Sequence, residues 1–183
     1  MLTTHCIRQS ALTRRSLTDY STSSDFFPLA IPSLPRATLK LEGLNPAGSI
    51  KFKAASAMLQ KAEQQGILRP NSHIIESSSG NMGIALSCIA ASRGYRVTII
   101  CDPNTSERAC KHMRALGAQV VVVHQQDEQG GFLGMRLQEV ERRLRDNPSA
   151  VWLNQYTNDA NWEAHKVLHY LCLLYTSDAA DEE

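Results

Sequence analysis

The feature that most constrains the fold is a regular alternation of short apolar segments with longer amphipathic ones between residues 37 and 153. The run of four valines from Val120 to Val123 has no polar face, which is typical of a strand in a parallel sheet that is covered on both sides. The longer segments have apolar residues at helical spacing. Strands that alternate with helices in this way indicate β-α-β units, and hence an α/β fold with a parallel sheet between helical layers.

The pattern predicts the bounds of each element. Strands are expected at residues 37–41, 72–76, 96–101, 119–124 and 150–153, and helices at 49–65, 80–92, 106–116 and 132–145. The second helix is apolar on nearly all sides, so we expect it to be buried. The last helix has an amphipathic stripe made of Leu133, Leu137, Val140 and Leu144.

Lys51 lies where a turn leads into the first predicted helix. Ala55, Met58 and Ala62 follow at i+4, i+7 and i+11, so the lysine projects from the same stripe as apolar side chains. An amine on a buried face is costly unless it is neutral, paired or covalently used, and a lysine that readily loses its proton can form a Schiff base. Spacing alone favours a simpler interpretation, in which the stem covers apolar surface and the ammonium reaches water.

A serine-rich turn, Ser77–Gly83, separates a predicted strand from the apolar helix. The backbone N–H groups at the start of a helix and the serine hydroxyls together favour an anion. The alternative is an ordinary serine N-cap, although three serines exceed what one cap requires.

Three blocks of this sequence resemble the cysteine synthase-like family of pyridoxal phosphate (PLP) enzymes, known as fold type II. The blocks are Lys40–Lys51, Ser78–Gly83, and Asn154–Tyr156 followed by Asn161 and His165. Their order and spacing agree with the family, and the resemblance covers about residues 25 to 165. It implies an α/β fold like that of the tryptophan synthase β subunit, built from three-layer units with a parallel sheet, and PLP as the cofactor between two domains.

The resemblance also implies a domain organisation. Residues 1–24 would form an N-terminal arm, 25–79 part of the larger PLP domain, 80–155 a smaller mobile α/β domain, and 156–165 a return toward the larger domain. Residues 166–183 depart from the family pattern and look like a cloning or sequencing artefact on a truncated reading frame; the alternative is a genuine divergent terminus. The family's glycine-rich phosphate loop would lie further on. We therefore expect a fold that is incomplete at the C-terminus, and a 183-residue chain that is itself inactive.

The resemblance assigns roles to matching residues. Lys51 would hold PLP as a Schiff base and act as the catalytic base, and Asn81 would bind the phenolic oxygen of the cofactor. The residues expected to bind substrate are Ser78, Ser79, Gly80, Met82, Arg136, Gln155 and Tyr156. Met82 and the pair Phe52-Lys53 depart from the residues that are common in the family.

Further segments resemble one branch of the family, the siderophore-pathway synthase that joins O-phospho-L-serine to L-glutamate and releases phosphate. They are Glu76–Asn81, Asp102-Pro103-Asn104, Gly130–Leu133, and Trp152–Tyr156 followed by Asn161-Trp162. Arg136 lies at the margin of the last apolar stripe, from which its guanidinium could bind an acceptor carboxylate. A snorkelling arginine explains the same spacing equally well.

Four alternatives stay open. A cysteine synthase would use sulfide as the acceptor and a dehydratase would use none. A Rossmann-type nucleotide-binding module also has alternating strands and helices, but no Gly-x-Gly-x-x-Gly follows the first predicted strand. The fourth alternative is a non-functional fragment.

Composition limits the partners. The net charge of +1, from 19 basic and 18 acidic residues, gives no reason to expect nucleic acid or a membrane. Five cysteines without a paired spacing are typical of a reducing cytosol, so we expect a cytoplasmic protein. We expect no metal site, small-molecule amino-acid substrates, and a homodimer when the protein is complete.

Overall fold

A computed structural model describes residues 26–28 and 38–166 of the chain. The expected N-terminal arm and nearly all of the expected tail lie outside the described residues. The elements follow in the order β1 (Phe26–Pro28), β2 (Thr38–Lys40), a 3-10 helix (Glu42–Leu44), α1 (Lys51–Gln64), β3 (His73–Ser77), α2 (Asn81–Arg93), β4 (Arg96–Cys101), α3 (Glu107–Ala115), β5 (Gln119–Val122), α4 (Leu133–Asp146), β6 (Val151–Trp152) and α5 (Asp159–Glu163). Within these ranges, no helix combines the length and the apolar character that a membrane crossing requires.

The main sheet is parallel and has the strand order β5-β4-β3-β6. The chain steps outward from β3 to β4 and β5, and then returns so that β6 pairs with the other side of β3, with Ile74 opposite Val151 and Ile75 opposite Trp152. The direction of winding therefore reverses between β3 and β6. In open α/β sheets, ligands bind in the crevice outside the carboxyl ends of the strands at such a reversal.

Side chains alternate along each strand, so they reach both faces of the sheet. Helices cover both faces. In β4, Val97, Ile99 and Cys101 belong to a large core cluster with residues of α1, α2, α3 and α5. Ile100 instead packs in a smaller cluster with Val140 of α4. This arrangement confirms the predicted three-layer α/β fold with a parallel sheet.

The predicted elements are confirmed, with bounds that differ by at most two residues. As expected, α2 is buried from Met82 to Ala90. The short elements β1 and α5 and the 3-10 helix were not predicted. The expected stripe of α4 was wrong at its start, because Leu133 is 42% exposed while the buried residues of this helix are Arg136 and Val140.

The domain boundary expected between residues 79 and 80 falls inside a continuous structure. β3 pairs with β4 along its full length, from His73 opposite Arg96 to Ser77 opposite Ile100. The described residues therefore place β3 in the same sheet as the elements assigned to the smaller domain.

Helix α2 packs so closely on α3 and β4 at Gly83 that a side chain there would force its neighbours to move. A Cβ atom there would lie 2.8 Å from Met113 Sδ and 3.1 Å from Ile99 Cγ2. Real Cβ atoms essentially never approach other atoms at the shorter of these distances. The absence of a side chain at Gly83 thus allows the first turn of α2 to sit directly beyond the end of β3.

Candidate functional site

Two of the predicted blocks leave the sheet side by side at the reversal between β3 and β6. We call residues 77–80, which begin at the end of β3, the serine turn, and residues 153–156, which follow β6, the Gln155 segment. Gln155 Nε2 donates a hydrogen bond of 2.6 Å to the carbonyl oxygen of Ser77, and the Tyr156 hydroxyl lies 3.3 Å from Ser77 Oγ. The two blocks, which are far apart in sequence, are therefore in direct contact.

The serine turn uses its three hydroxyls differently. Ser78 Oγ accepts hydrogen bonds from the backbone N–H groups of Gly83, at 2.9 Å, and Gly80, at 3.3 Å. The N-cap residue of α2 is Gly80 and not a serine, so the ordinary N-cap interpretation is wrong, but Ser78 already bonds two of the N–H groups that were expected to face an anion. A hydroxyl has one donor besides its two acceptor sites, so the Ser78 O–H proton is not consumed by these bonds. Ser79 is half-buried at the tip of the turn.

The other two residues expected at this turn differ in exposure. Asn81 is half-buried at the first position of α2. Met82 is 1% exposed and belongs to the large core cluster. The Met82 side chain therefore contributes to the packing of α2 against the core.

Lys51 is the first residue of α1 and is half-buried. The turn before it is organised by the Asn45 side chain, whose Nδ2 donates to the carbonyl oxygens of Glu42 and Ser49 at 2.6 Å each. Asn45 Oδ1 accepts from the backbone N–H of Ala47 at 3.0 Å. These bonds satisfy backbone groups that the turn leaves unpaired, and they fix the point at which the helix begins.

Glu42 joins two other lysines close to this turn. Its Oε1 atom accepts hydrogen bonds of 2.6 Å from both Lys40 and Lys53, and all three side chains are largely buried. Burial alone would raise the pKa of Glu42, but the two lysines outweigh it and the pKa is lowered. Burial lowers the pKa of Lys53, an effect that Glu42 partly offsets. The side chain of Lys51, in contrast, has no hydrogen bond or ion pair with any described residue.

The third block reaches Lys51 through His165. Burial lowers the pKa of His165, and the positive charges of Lys53 and Lys51 lower it further, so the imidazole lies near both lysines. Its Nδ1 atom is buried and has no hydrogen-bond partner in the described part of the chain. Asn161 Nδ2 donates to the carbonyl oxygen of Gln155 at 2.8 Å. Residues 155–165 thus connect the end of the sheet with the start of α1.

Arg136 lies at the same edge of the sheet. We predicted it at the margin of the apolar stripe of α4, but the residue is buried. It is 7% exposed, and its Nη1 atom lies 3.3 Å from Oδ2 of Asp102, the residue that follows β4. This contact is an ion pair without hydrogen-bond geometry, so Nε and Nη1 of Arg136 make no hydrogen bond within the described residues. No described hydrogen bond or ion pair joins Arg136 to the serine turn or to Lys51.

Glu76 is a site residue that we did not predict. It is fully buried at the carboxyl end of β3, where its Oε1 atom accepts hydrogen bonds of 3.0 Å from Trp152 Nε1 and from the backbone N–H of Ser77. Burial raises the pKa of Glu76 to about 7, and these hydrogen bonds oppose the shift only in part. The available signal was an acidic residue at the end of an apolar strand segment, directly before the serines.

A surface depression of about 270 Å³ contains none of the predicted site residues. It is lined by Val123, Gln125, Met135, Gln138, Glu139, Arg142 and Arg145. The described residues contain no cluster of three or more side chains that could hold a metal ion. His165 and His169 have the i, i+4 spacing of two metal ligands on one face of a helix, but His169 lies outside the described residues.

Comparison with known proteins agrees with the resemblance. Residues 29–170 match the family model described as pyridoxal-phosphate dependent enzyme. The N-(2-amino-2-carboxyethyl)-L-glutamate synthases of Cupriavidus metallidurans and Ralstonia nicotianae are each 45% identical to this chain over 126 residues, which is 69% of this chain and 37% of theirs. The crystal structure of a hydrogen sulfide-producing enzyme from Fusobacterium nucleatum superposes with a TM-score of 0.71 and 29% identity, over 82% of this chain and 49% of its own. The chain thus spans half or less of the length of these relatives.

Proposed function

This chain belongs to the family of pyridoxal-phosphate dependent enzymes, and we propose that the complete protein catalyses a β-replacement on an activated L-serine. The proposed substrates are O-phospho-L-serine and L-glutamate, and the products are N-(2-amino-2-carboxyethyl)-L-glutamate and phosphate. The bond from Cβ to the phosphate oxygen breaks, a bond from Cβ to the glutamate nitrogen forms, and the proton that this nitrogen loses leaves with the phosphate. The proton removed from Cα is returned to it. The product would serve siderophore biosynthesis as a precursor of 2,3-diaminopropionate.

The observation that carries the proposal is the contact between the serine turn and the Gln155 segment at the reversal of the sheet. The hydrogen bond from Gln155 Nε2 to Ser77 uses only one of two amide protons, so the other can donate to a ligand. The Ser78 O–H and the N-terminal end of the α2 dipole add further attraction for an anion. This set of donors fits the α-carboxylate of an amino acid. The name of the two synthases that are 45% identical supports glutamate as the acceptor.

PLP, the cofactor of this family, is expected to bind to Lys51, and the surroundings of this lysine fit that role. Lys40 and Lys53 are both tied to Glu42, whereas the Lys51 amine is not paired with any described residue. When bound, PLP supplies an electron sink that spreads the negative charge left at Cα.

In this mechanism the protein's side chains have three tasks. Lys51 Nζ would hold PLP, and its amine would take the proton from Cα and later return it. The serine turn and Gln155 hold the α-carboxylate, so that the Cα–H bond stays oriented toward Lys51. Asn81 would help to hold PLP, and Arg136 with Tyr156 would bind the acceptor.

The role of Lys51 can be tested in the complete protein by borohydride reduction and peptide mapping. The pyridoxyl group should be found on Lys51. A Lys51→Ala variant should lose this adduct, whereas the matched Lys53→Ala variant should keep it. An adduct on Lys53 would remove the central claim.

A second candidate is a synthase that uses sulfide in place of glutamate. It is favoured by the likeness to the hydrogen sulfide-producing enzyme and by the pairing of Arg136 with Asp102, which already compensates the charge that a glutamate carboxylate would use. Assays of the complete protein with O-phospho-L-serine and either L-glutamate or sulfide separate the two. A higher kcat/KM with sulfide would favour this second function.

A further inference from the structure

Glu76 connects the two segments that form the candidate carboxylate site. One of its hydrogen bonds goes to the indole of Trp152 in β6, and the other goes to the backbone N–H of Ser77, where the serine turn begins. The bond from Gln155 to the carbonyl oxygen of Ser77 forms a second connection between the same segments. Ser77 is therefore held through both its N–H and its C=O, and one of these connections depends on Glu76.

The remaining oxygen of Glu76 indicates which protonation state suits this position. Glu76 Oε2 is buried without a hydrogen bond of normal geometry, although the backbone N–H groups of Asn154 and Gln155 lie toward the carboxyl group. Asn154 Oδ1, in the same region, is also buried without a donor. An ionised carboxylate with an unpaired buried oxygen is costly. A neutral carboxyl group lowers this cost, and its O–H would need an acceptor such as the unpaired Asn154 Oδ1.

Charged groups from neighbouring elements do not compensate Glu76. The elements around β3 bring Asp102, Arg136 and Tyr156 to this end of the sheet, and Asp102 and Arg136 are paired with each other. Burial accounts for the raised pKa of Glu76, the hydrogen bonds from Trp152 and the backbone lower it in part, and none of these causes is a charged side chain.

We propose that Glu76 is a positioning residue that, in its neutral form, holds the serine turn against the Gln155 segment without placing a negative charge beside the bound carboxylate. The proposal rests on the proposed function, because it requires that the serine turn binds an amino-acid carboxylate. Ionised Glu76 would repel that ligand in a low-dielectric environment. Ligand binding and protonation of Glu76 are therefore reciprocally coupled, so that the ligand raises the pKa of Glu76 and a proton on Glu76 raises the affinity for the ligand.

L-serine is a suitable probe, because its own charge hardly changes between about pH 5 and pH 8. Binding to the 15N-labelled chain can be measured at about pH 5.5 and pH 8 from the backbone amide signals of residues 78–83. The variant is Glu76→Gln, which keeps the acceptor oxygen for Trp152 and Ser77 but cannot ionise. The matched control is Glu141→Gln, which removes a charge from the exposed side of α4.

We expect the wild-type chain and the Glu141→Gln control to bind L-serine at least about fivefold more weakly at the higher pH, the lower end of ordinary coupling between sites. Glu76→Gln should bind equally at both. The proposal is wrong if Glu76→Gln keeps the wild-type pH dependence, or if the wild type shows none. Amide signals that do not respond to L-serine at either pH would instead refute the carboxylate site itself, and with it both proposals.

A second measurement needs no variant. In wild-type chain with 13C-labelled glutamate side chains, one carboxyl signal should titrate near pH 7, and its midpoint should rise when L-serine is added. If every glutamate carboxyl titrates close to the ordinary value, Glu76 is not the neutral positioning group that we propose.

Discussion

The strongest test of the structure around Lys51 is the replacement of Glu42 by glutamine. Glu42 Oε1 accepts hydrogen bonds from Lys40 and Lys53, and the three side chains are 8%, 13% and 10% exposed, respectively. Glutamine has nearly the same shape but removes the negative charge. Two largely buried ammonium groups would then face each other without a counter-charge.

The magnitude follows from this burial. Removing one partner of a buried ion pair destabilises a protein by about 3–5 kcal/mol, but lysine stems are flexible and allow the ammonium groups to move toward water. We therefore expect Glu42→Gln to lower the free energy of unfolding at pH 7 by about 3 kcal/mol, the low end of that range. Because the folded-state pKa of Glu42 is lowered, its contribution is present above the unfolded pKa and is lost as the pH falls through the folded value. The difference between wild type and variant should therefore shrink in acid.

Urea unfolding followed by tryptophan fluorescence, at pH 7 and in steps toward about pH 3, measures both effects. The matched control is Glu107→Gln, which breaks the ion pair with Lys111 at the start of α3, where the two side chains are 79% and 70% exposed. Such an exposed pair contributes at most about 1 kcal/mol. If the two variants lose equal stability at pH 7, or if the effect of Glu42→Gln is independent of pH, then Glu42 does not act as a buried counter-charge.

Three further predictions concern α2, α4 and the acceptor. Gly83→Ala should destabilise the chain by about 1–3 kcal/mol in urea unfolding, because the added methyl group overpacks the site. Gly43→Ala should be tolerated, since the nearest atom would lie 3.9 Å from the new Cβ. Equal effects of the two substitutions would contradict the close approach of α2. Asp127→Ala should lower the free energy of unfolding by about 1–3 kcal/mol, because the Asp127 carboxylate accepts backbone hydrogen bonds from residues 129, 131 and 134 before and within α4. Asp146→Ala, at the exposed end of the same helix, serves as its control. In the complete protein, Arg136→Ala should reduce kcat/KM for L-glutamate roughly 10- to 150-fold, as expected for the loss of a charge-assisted contact. The single-turnover reaction with O-phospho-L-serine should stay largely unchanged. Equal losses in both reactions would indicate that the role of Arg136 is structural.

The sequence was sufficient for the parts of the fold that depend on local periodicity. The alternation of strands and helices predicted the parallel sheet, and the apolar character of α2 predicted its burial. The spacing of Ala55, Met58 and Ala62 after Lys51 correctly predicted a buried stripe, because all three residues are buried in α1. These features depend on periodicity within single segments of the chain.

The parts that were missed depend on residues distant in sequence. Glu42 is stabilised by Lys53, which is 11 residues away, and Glu76 by Trp152, which is 76 residues away. No local pattern shows that these pairs meet. Arg136 was placed at the margin of a stripe from its spacing to Leu133 and Val140, whereas Asp102 compensates its charge inside the protein.

The bonding of Ser78 to the start of α2 has a consequence for motion. Since Ser78 Oγ accepts the N–H groups of both Gly80 and Gly83, the serine turn cannot open without fraying the first turn of the helix. Hydrogen exchange at these two amides should therefore report the opening of the turn directly. A ligand that holds the turn closed should slow both amides together, whereas one that binds elsewhere should leave their exchange unchanged.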